Sequence, residues 1–101
     1  MNIHSQDEAE NLIRKFLKTT VNLPATDMEL NSVDDPSGDF MIKAALIFNG
    51  KKVKIDFQVN HYSQMYFESE PGMLAPLDNG GDQTEFWKFL FNSYLKVNKK
   101  K

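Results

Sequence analysis

The chain has no cysteine among its 101 residues, which removes disulfides, thiolate metal sites and cysteine nucleophiles as explanations of its fold or chemistry. It has only two histidines, His4 and His61, so a general base of ordinary pKa has two places to sit, or else must be a perturbed carboxylate. Long apolar runs are also missing. The longest, Ala44 to Phe48, is far too short to cross a bilayer, and Met1 to Glu10 carries neither the basic nor the apolar region of a signal peptide. The expected setting is therefore cytoplasmic, with no membrane partner. No glycine-rich phosphate loop opens a helix, and no zinc or dinucleotide spacing occurs, so neither a cofactor nor a metal is expected.

Basic residues are absent from two long stretches. Thr19 to Ile42 holds five acids (Asp27, Glu29, Asp34, Asp35, Asp39), and Ile55 to Trp87 holds six (Asp56, Glu68, Glu70, Asp78, Asp82, Glu85). The bases gather in the first helical segment (Arg14, Lys15, Lys18), around a hairpin (Lys43, Lys51, Lys52, Lys54) and at the end (Lys88, Lys96, Lys99, Lys100, Lys101). With a pI of about 5.6 the chain lacks the overall charge of a nucleic-acid binder. Nucleic acid is accordingly a minor alternative, served by the hairpin and C-terminal lysines with nearby tyrosines (Tyr62, Tyr66, Tyr94) for stacking. The tail from about residue 98 reads as a solvated, disordered basic end.

What is present is the patterning of one α+β domain over residues 1–101. Ser5 followed by Glu8 is a capping box, and Ala9, Leu12, Ile13, Phe16 and Leu17 form one apolar stripe, so a helix is expected over Gln6 to Lys18. Pro24 forbids its continuation, and Thr26 to Val33 alternates as a first strand. Asn49-Gly50 suits a two-residue type I′ turn between strands Asp39 to Phe48 and Lys51 to Val59. That turn fixes the register: Leu46 opposite Val53, Ala44 opposite Ile55, Ile42 opposite Phe57 and Phe40 opposite Val59, all apolar. A slip of one residue would put lysines in the core. A fourth strand is expected at Ser63 to Ser69, and Glu70 to Gly81, with two prolines and three glycines, reads as a loop.

The last segment, Gln83 to Val97, is the most apolar. As a helix it carries Phe86, Trp87, Phe89, Leu90, Phe91, Tyr94, Leu95 and Val97 over an arc of roughly 240°, where a surface helix needs a stripe of roughly 100°. The expected architecture is a four-stranded antiparallel meander with the N- and C-terminal helices on one face, in the order α-β-β-β-β-α, and with the last helix lying between the sheet and the first. In that arrangement the Asp34-Asp35 turn and the lysine tail share one end of the sheet.

No catalytic constellation emerges. His61 and Ser63 stand two residues apart in a turn without an orienting acid, poor geometry for a nucleophile and base. The stretches Asp34 to Asp39 and Asp78 to Asp82 lack the ligand spacing of an EF-hand and read as turns. Glu68 and Glu70 share a strand face and read as a charged rim that discourages edge pairing. Two features point instead to contact with another protein. The segment Met73-Leu74-Ala75-Pro76-Leu77 is unusually apolar for a connection, and Met41, Ile47 and Tyr66 belong to the sheet face away from the helices.

The order of elements, a helix closing in Asn22-Leu23-Pro24, alternating strands, a Pro/Gly segment and an aromatic helix, resembles the first part of type III secretion chaperones. That resemblance implies a small acidic dimer that masks apolar segments of exported proteins. Small immunity proteins and phage-encoded inhibitors are similar in size, acidity and α+β texture. Double-stranded-RNA-binding domains share the helix-strands-helix order, but they have three strands and a basic start to the second helix, where this chain has Asp82 and Glu85.

The expected function is that of a non-catalytic protein-binding domain that occludes a partner, as a small inhibitor, immunity or anti-defence protein does, with a homodimer as the alternative. The expected contact residues are Met41, Ile47, Tyr66, Met73, Leu74 and Leu77 as apolar anchors, with Glu68, Glu70 and Asp78 as a polar rim. A basic nucleic-acid enzyme is the kind of partner that such carboxylates would attract.

Overall fold

The computed structural model of the chain describes residues 5–34, 39–77 and 83–99. A helix α1 (Gln6–Thr19) is followed by a 3₁₀ turn (Ala25–Asp27), then by strands β1 (Met28–Asp34), β2 (Phe40–Phe48), β3 (Lys51–Val59), β4 (Met65–Glu70) and β5 (Met73–Leu77), and by a second helix α2 (Thr84–Lys99). The strands form one antiparallel meander in the order β1-β2-β3-β4-β5. Among the described residues no helix is long and apolar enough to cross a membrane.

Local chemistry accounts for most boundaries. The Ser5 side chain accepts the Glu8 N–H at 3.2 Å, satisfying one of the first-turn donors that a helix leaves unpaired. Asn22, with φ 64°, and Pro24 turn the chain out of α1. At Asn49 and Gly50, φ is 50° and 79°, as a type I′ turn requires. The β2–β3 register is the one that turn dictates: Phe40↔Val59, Ile42↔Phe57, Ala44↔Ile55, Leu46↔Val53 and Phe48↔Lys51.

The inward faces of all five strands and the apolar stripes of both helices make one core. Ile42, Leu46, Val53, Ile55, Phe57, Val59 and Phe67 from the sheet are buried with Ile13, Phe16 and Leu17 of α1 and Phe86 and Leu90 of α2. The Phe86 ring stands edge-on to Phe16 and Phe67, at centroid distances of 5.2 and 5.3 Å, and 6.1 Å from Phe57.

Three expectations are corrected. The sheet has five strands rather than four, because part of the segment Glu70 to Gly81 is strand and not loop. Pro71-Gly72 is the turn itself, with Gly72 at φ 81°, and β5 returns along β4 through Phe67↔Ala75 and Met65↔Leu77. Pro76 is tolerated because β5 is an outer strand with one unpaired side. Secondly, α2 does not lie between the sheet and α1. Helix α1 packs on β1 and β2 and α2 packs on β3, side by side on the same face. Thirdly, the extra strand reverses the chain once more, so α2 runs toward the β2–β3 turn. The Asn49 side chain donates to the Tyr94 hydroxyl at 3.2 Å, and Lys96 lies beside Lys52 and Lys54, not at the Asp34 end.

Phe86→Ala removes the ring shared by both helices and the sheet and should cost about 3–5 kcal/mol in urea unfolding, whereas Phe91→Ala, which deletes a side chain that is 60% exposed, should cost under about 1 kcal/mol. Gly72→Ala meets nothing within 4 Å, so its effect is the left-handed backbone alone, an expected loss of about 1–2 kcal/mol by the same measurement.

Candidate protein-binding surfaces

The eight apolar residues of α2 divide between two environments. Phe86 and Leu90 are buried and Phe89, Tyr94 and Val97 pack against the core, which uses one side of the helix. At about 100° per residue Trp87, Phe91, Tyr94 and Leu95 fall together on an adjoining arc of about 100°. Trp87 is 42%, Phe91 60% and Leu95 39% exposed. Trp87, Phe91 and Tyr94 also line, with Phe48, Asn49 and Leu90, a shallow hollow of about 220 Å³ between the helix and the β2–β3 turn. Five of the eight are thus engaged with the core, and Trp87, Phe91 and Leu95 form a partly exposed ridge beside them.

A second apolar strip crosses the opposite face of the sheet, where neither helix packs. The strand registers align Val33, Met41, Gln58, Tyr66 and Pro76 in one row over all five strands. Val33 is exposed, Met41 and Tyr66 are half-buried, and Leu74, 46% exposed, stands beside the row on β5. Met41, Asp56, Gln58, Glu68, Gly72 and Leu74 line a hollow of about 170 Å³ there. The polar members are tied down: the Gln58 amide donates to Asp39 at 2.9 Å, Lys43 pairs with Asp56 at 3.5 Å, and Glu68 accepts the Gly72 N–H at 2.9 Å.

Of the residues expected to bind a partner, the structure brings together Met41, Tyr66, Glu68 and Leu74. Met73 is 57% exposed and Glu70 is exposed, both at the β4–β5 turn. Ile47 shares the open face but lies toward the other end, across from Lys52. Leu77 is corrected: β5 alternation turns it inward opposite Met65, where it is 6% exposed and part of the core. Asp78 lies outside the described residues, as do Asp35 to Gly38 and Asp78 to Asp82 of the two acidic turns. The aromatic ridge was missed as a set of contact residues. Its signal was the width of the apolar arc, which requires an open side but does not say which side.

His61 is exposed and its ring stands edge-on to Phe40 at 5.6 Å, while Ser63, at φ 68°, shapes a turn in which the Asn60 side chain accepts the N–H groups of Tyr62 and Gln64. Among the described residues no group of three or more histidines and carboxylates is placed to hold a metal ion. Lys52, Lys54 and Lys96 gather at the β2–β3 end of the molecule. Among the described residues none of the three has a carboxylate within ion-pair distance, although Glu29 and Glu68 line the same cleft as Lys52 and Lys54.

Comparison of this chain with protein-family models, with curated proteins and with solved structures finds no match, and what the surfaces do has to follow from their own chemistry.

Proposed function

We propose that the chain is a protein-binding domain that acts by covering part of a partner protein, as small inhibitors and immunity proteins do, rather than by catalysis. The observation that carries this is the ridge of Trp87, Phe91 and Leu95 along α2, left in solvent although the same helix supplies Phe86 and Leu90 to the core. Contiguous apolar surface of this kind is costly to leave in water and marks contact sites. Trp and Tyr are also the residues that dominate binding energy when a partner desolvates them, because they add large area for the loss of few rotamers. Glu85, two residues before Trp87, and Lys88, just after it, are exposed and supply a polar border.

The strip containing Met41, Tyr66 and Leu74 is the secondary candidate. Leu74 is as exposed as Trp87, but Met41 and Tyr66 are half-buried already and Gln58 and Glu68 beside them are hydrogen-bonded within the chain, so less is gained by covering it. The acidic residues Glu68 and Glu70 on that side favour a basic partner, such as a nucleic-acid enzyme, through faster association at low salt.

Trp87 is the single tryptophan and reports on the ridge directly. In dilute protein its emission should be that of a solvent-exposed indole, open to quenching by iodide, and light scattering should give the monomer mass. A photo-crosslinker placed at position 91 should join a discrete protein from the native host. Trp87→Ala and Leu95→Ala should abolish that product while leaving the urea midpoint nearly unchanged. A concentration-dependent blue shift of Trp87 with crosslinks only between copies of the chain would replace this function with a homodimer. Crosslinking that survives Trp87→Ala but is lost with Leu74→Asp would move the contact to the other face.

A further inference from the structure

An interior strand of the sheet has an open edge. The Asn49-Gly50 turn closes on Phe48 and Lys51, and alternation along an antiparallel ladder then directs the backbone groups of Lys51, Val53 and Ile55 to β2 and those of Lys52 and Lys54 to the other side. On that other side β4 pairs with β3 only through Val59↔Met65, Gln58↔Tyr66 and Phe57↔Phe67. Beyond Glu68 the β4 ladder is irregular, with a register shift between Glu68 and Glu70, and β4 no longer pairs with β3. Among the described residues no strand therefore pairs with β3 at Lys52 and Lys54 on that side.

Space lies beside them. A cleft of about 650 Å³ borders them, running over the open face from Glu29 of β1 past Lys43 of β2 to Lys52, Lys54 and Asp56 of β3 and Glu68 of β4, and it is also lined by Phe89, which packs against the core. Phe89 in that lining brings one end of the cleft to the edge of β3 that β4 leaves. A second opening of about 450 Å³ adjoins the same edge on the helix side, lined by Lys52, Val53, Lys54, Ser93, Lys96 and Val97.

We propose that this edge of β3 is a β-augmentation site that receives an extended segment of a partner protein with acidic residues alternating with apolar ones. Main-chain hydrogen bonds to Lys52 and Lys54 supply the pairing, and alternate side chains supply the selectivity. Side chains of the added strand that point to the open face meet Lys52 and Lys54, which among the described residues form no ion pair, while Lys43 is already paired to Asp56. Those that point to the other face meet Val53, Phe89 and Val97. The same lysines keep the edge from pairing with a neutral strand or with a second copy, since Lys54 would then face Lys54, and like charges directly opposite are destabilising. This deepens the protein-binding function proposed above, at a site separate from the α2 ridge.

The probe is a labelled seven-residue peptide alternating glutamate and valine, with three controls: lysine in place of glutamate, the same composition with glutamates and valines in blocks, and N-methylation of alternate amides. In the free protein the amides of Lys52 and Lys54 should exchange with solvent far faster than those of Val53 and Ile55. The alternating acidic peptide should slow both and weaken with salt, and Lys52→Glu with Lys54→Glu should reduce its affinity by about tenfold or more. Protection of Lys52 and Lys54 in the free protein would overturn the site. So would equal binding of the blocked or N-methylated peptide, or tighter binding of a single-stranded thymidine oligonucleotide, which would assign the lysines to simple anion or nucleic-acid binding. Phe91→Asp should leave peptide binding intact, so loss of the ridge contact and loss of this site are read separately.

Discussion

Four phenylalanine rings meet where the two helices and the sheet converge, and the packing of Phe86 against Phe16, Phe57 and Phe67 is what makes three layers of sequence into one core. The hairpin's apolar face has no means of burying itself, since a two-stranded ribbon is only marginally stable in water. Helix α1 covers β1 and β2 and leaves β3 and β4 bare. Only α2 closes that half, and it does so through two buried residues, Phe86 and Leu90, with Phe89 and Val97 at the margin. Because one side of a sixteen-residue helix suffices for this, the rest of its apolar arc has nothing of its own to cover.

The fifth strand decides which way that arc faces. Four strands would have delivered α2 to the end of the sheet near the β2–β3 turn and sent its lysines toward the Asp34 turn. With β5 interposed, α2 begins at the opposite end and runs back, so that Tyr94 reaches Asn49 and Lys96 reaches Lys52 and Lys54. The position of the aromatic ridge and the concentration of unmatched positive charge both follow from that one reversal. So does the side-by-side placement of the helices, which keeps α1 from shielding the ridge.

The two faces differ in how much they leave undone. In the row across the middle of the open face the polar side chains are engaged with their neighbours, as Lys43 with Asp56 and Gln58 with Asp39, and Met41 and Tyr66 are half-buried. Along α2 and along the inner edge of β3, exposed indole and phenyl surface in one case and main-chain groups of Lys52 and Lys54 in the other have no partner among the described residues. Both are the kinds of surface that a second macromolecule can satisfy, by desolvation for the ridge and by strand pairing for the edge.

Much of the fold was legible in the residues. Ser5 and Glu8 announce the first helix, and Asn49-Gly50 sets a β2–β3 register in which Ile42, Ala44, Leu46, Val53, Ile55 and Phe57 all turn inward, because turn type and side-chain alternation are local and here agree. Met41, Ile47 and Tyr66 could be assigned to one face on the same grounds. The fate of Met73 to Leu77 could not, since Pro71, Gly72 and Pro76 are the marks of a loop, and it takes the neighbouring β4 to make them a turn and an outer strand. Leu77 likewise becomes core only through its pairing with Met65. The sequence by itself determined that the last helix carries more apolar surface than one contact needs, a property of composition and period. Which residues of it stay in water, and which lysines gather beside the unpaired edge of β3, only the tertiary structure decided, because these depend on the direction in which a distant strand returns the chain.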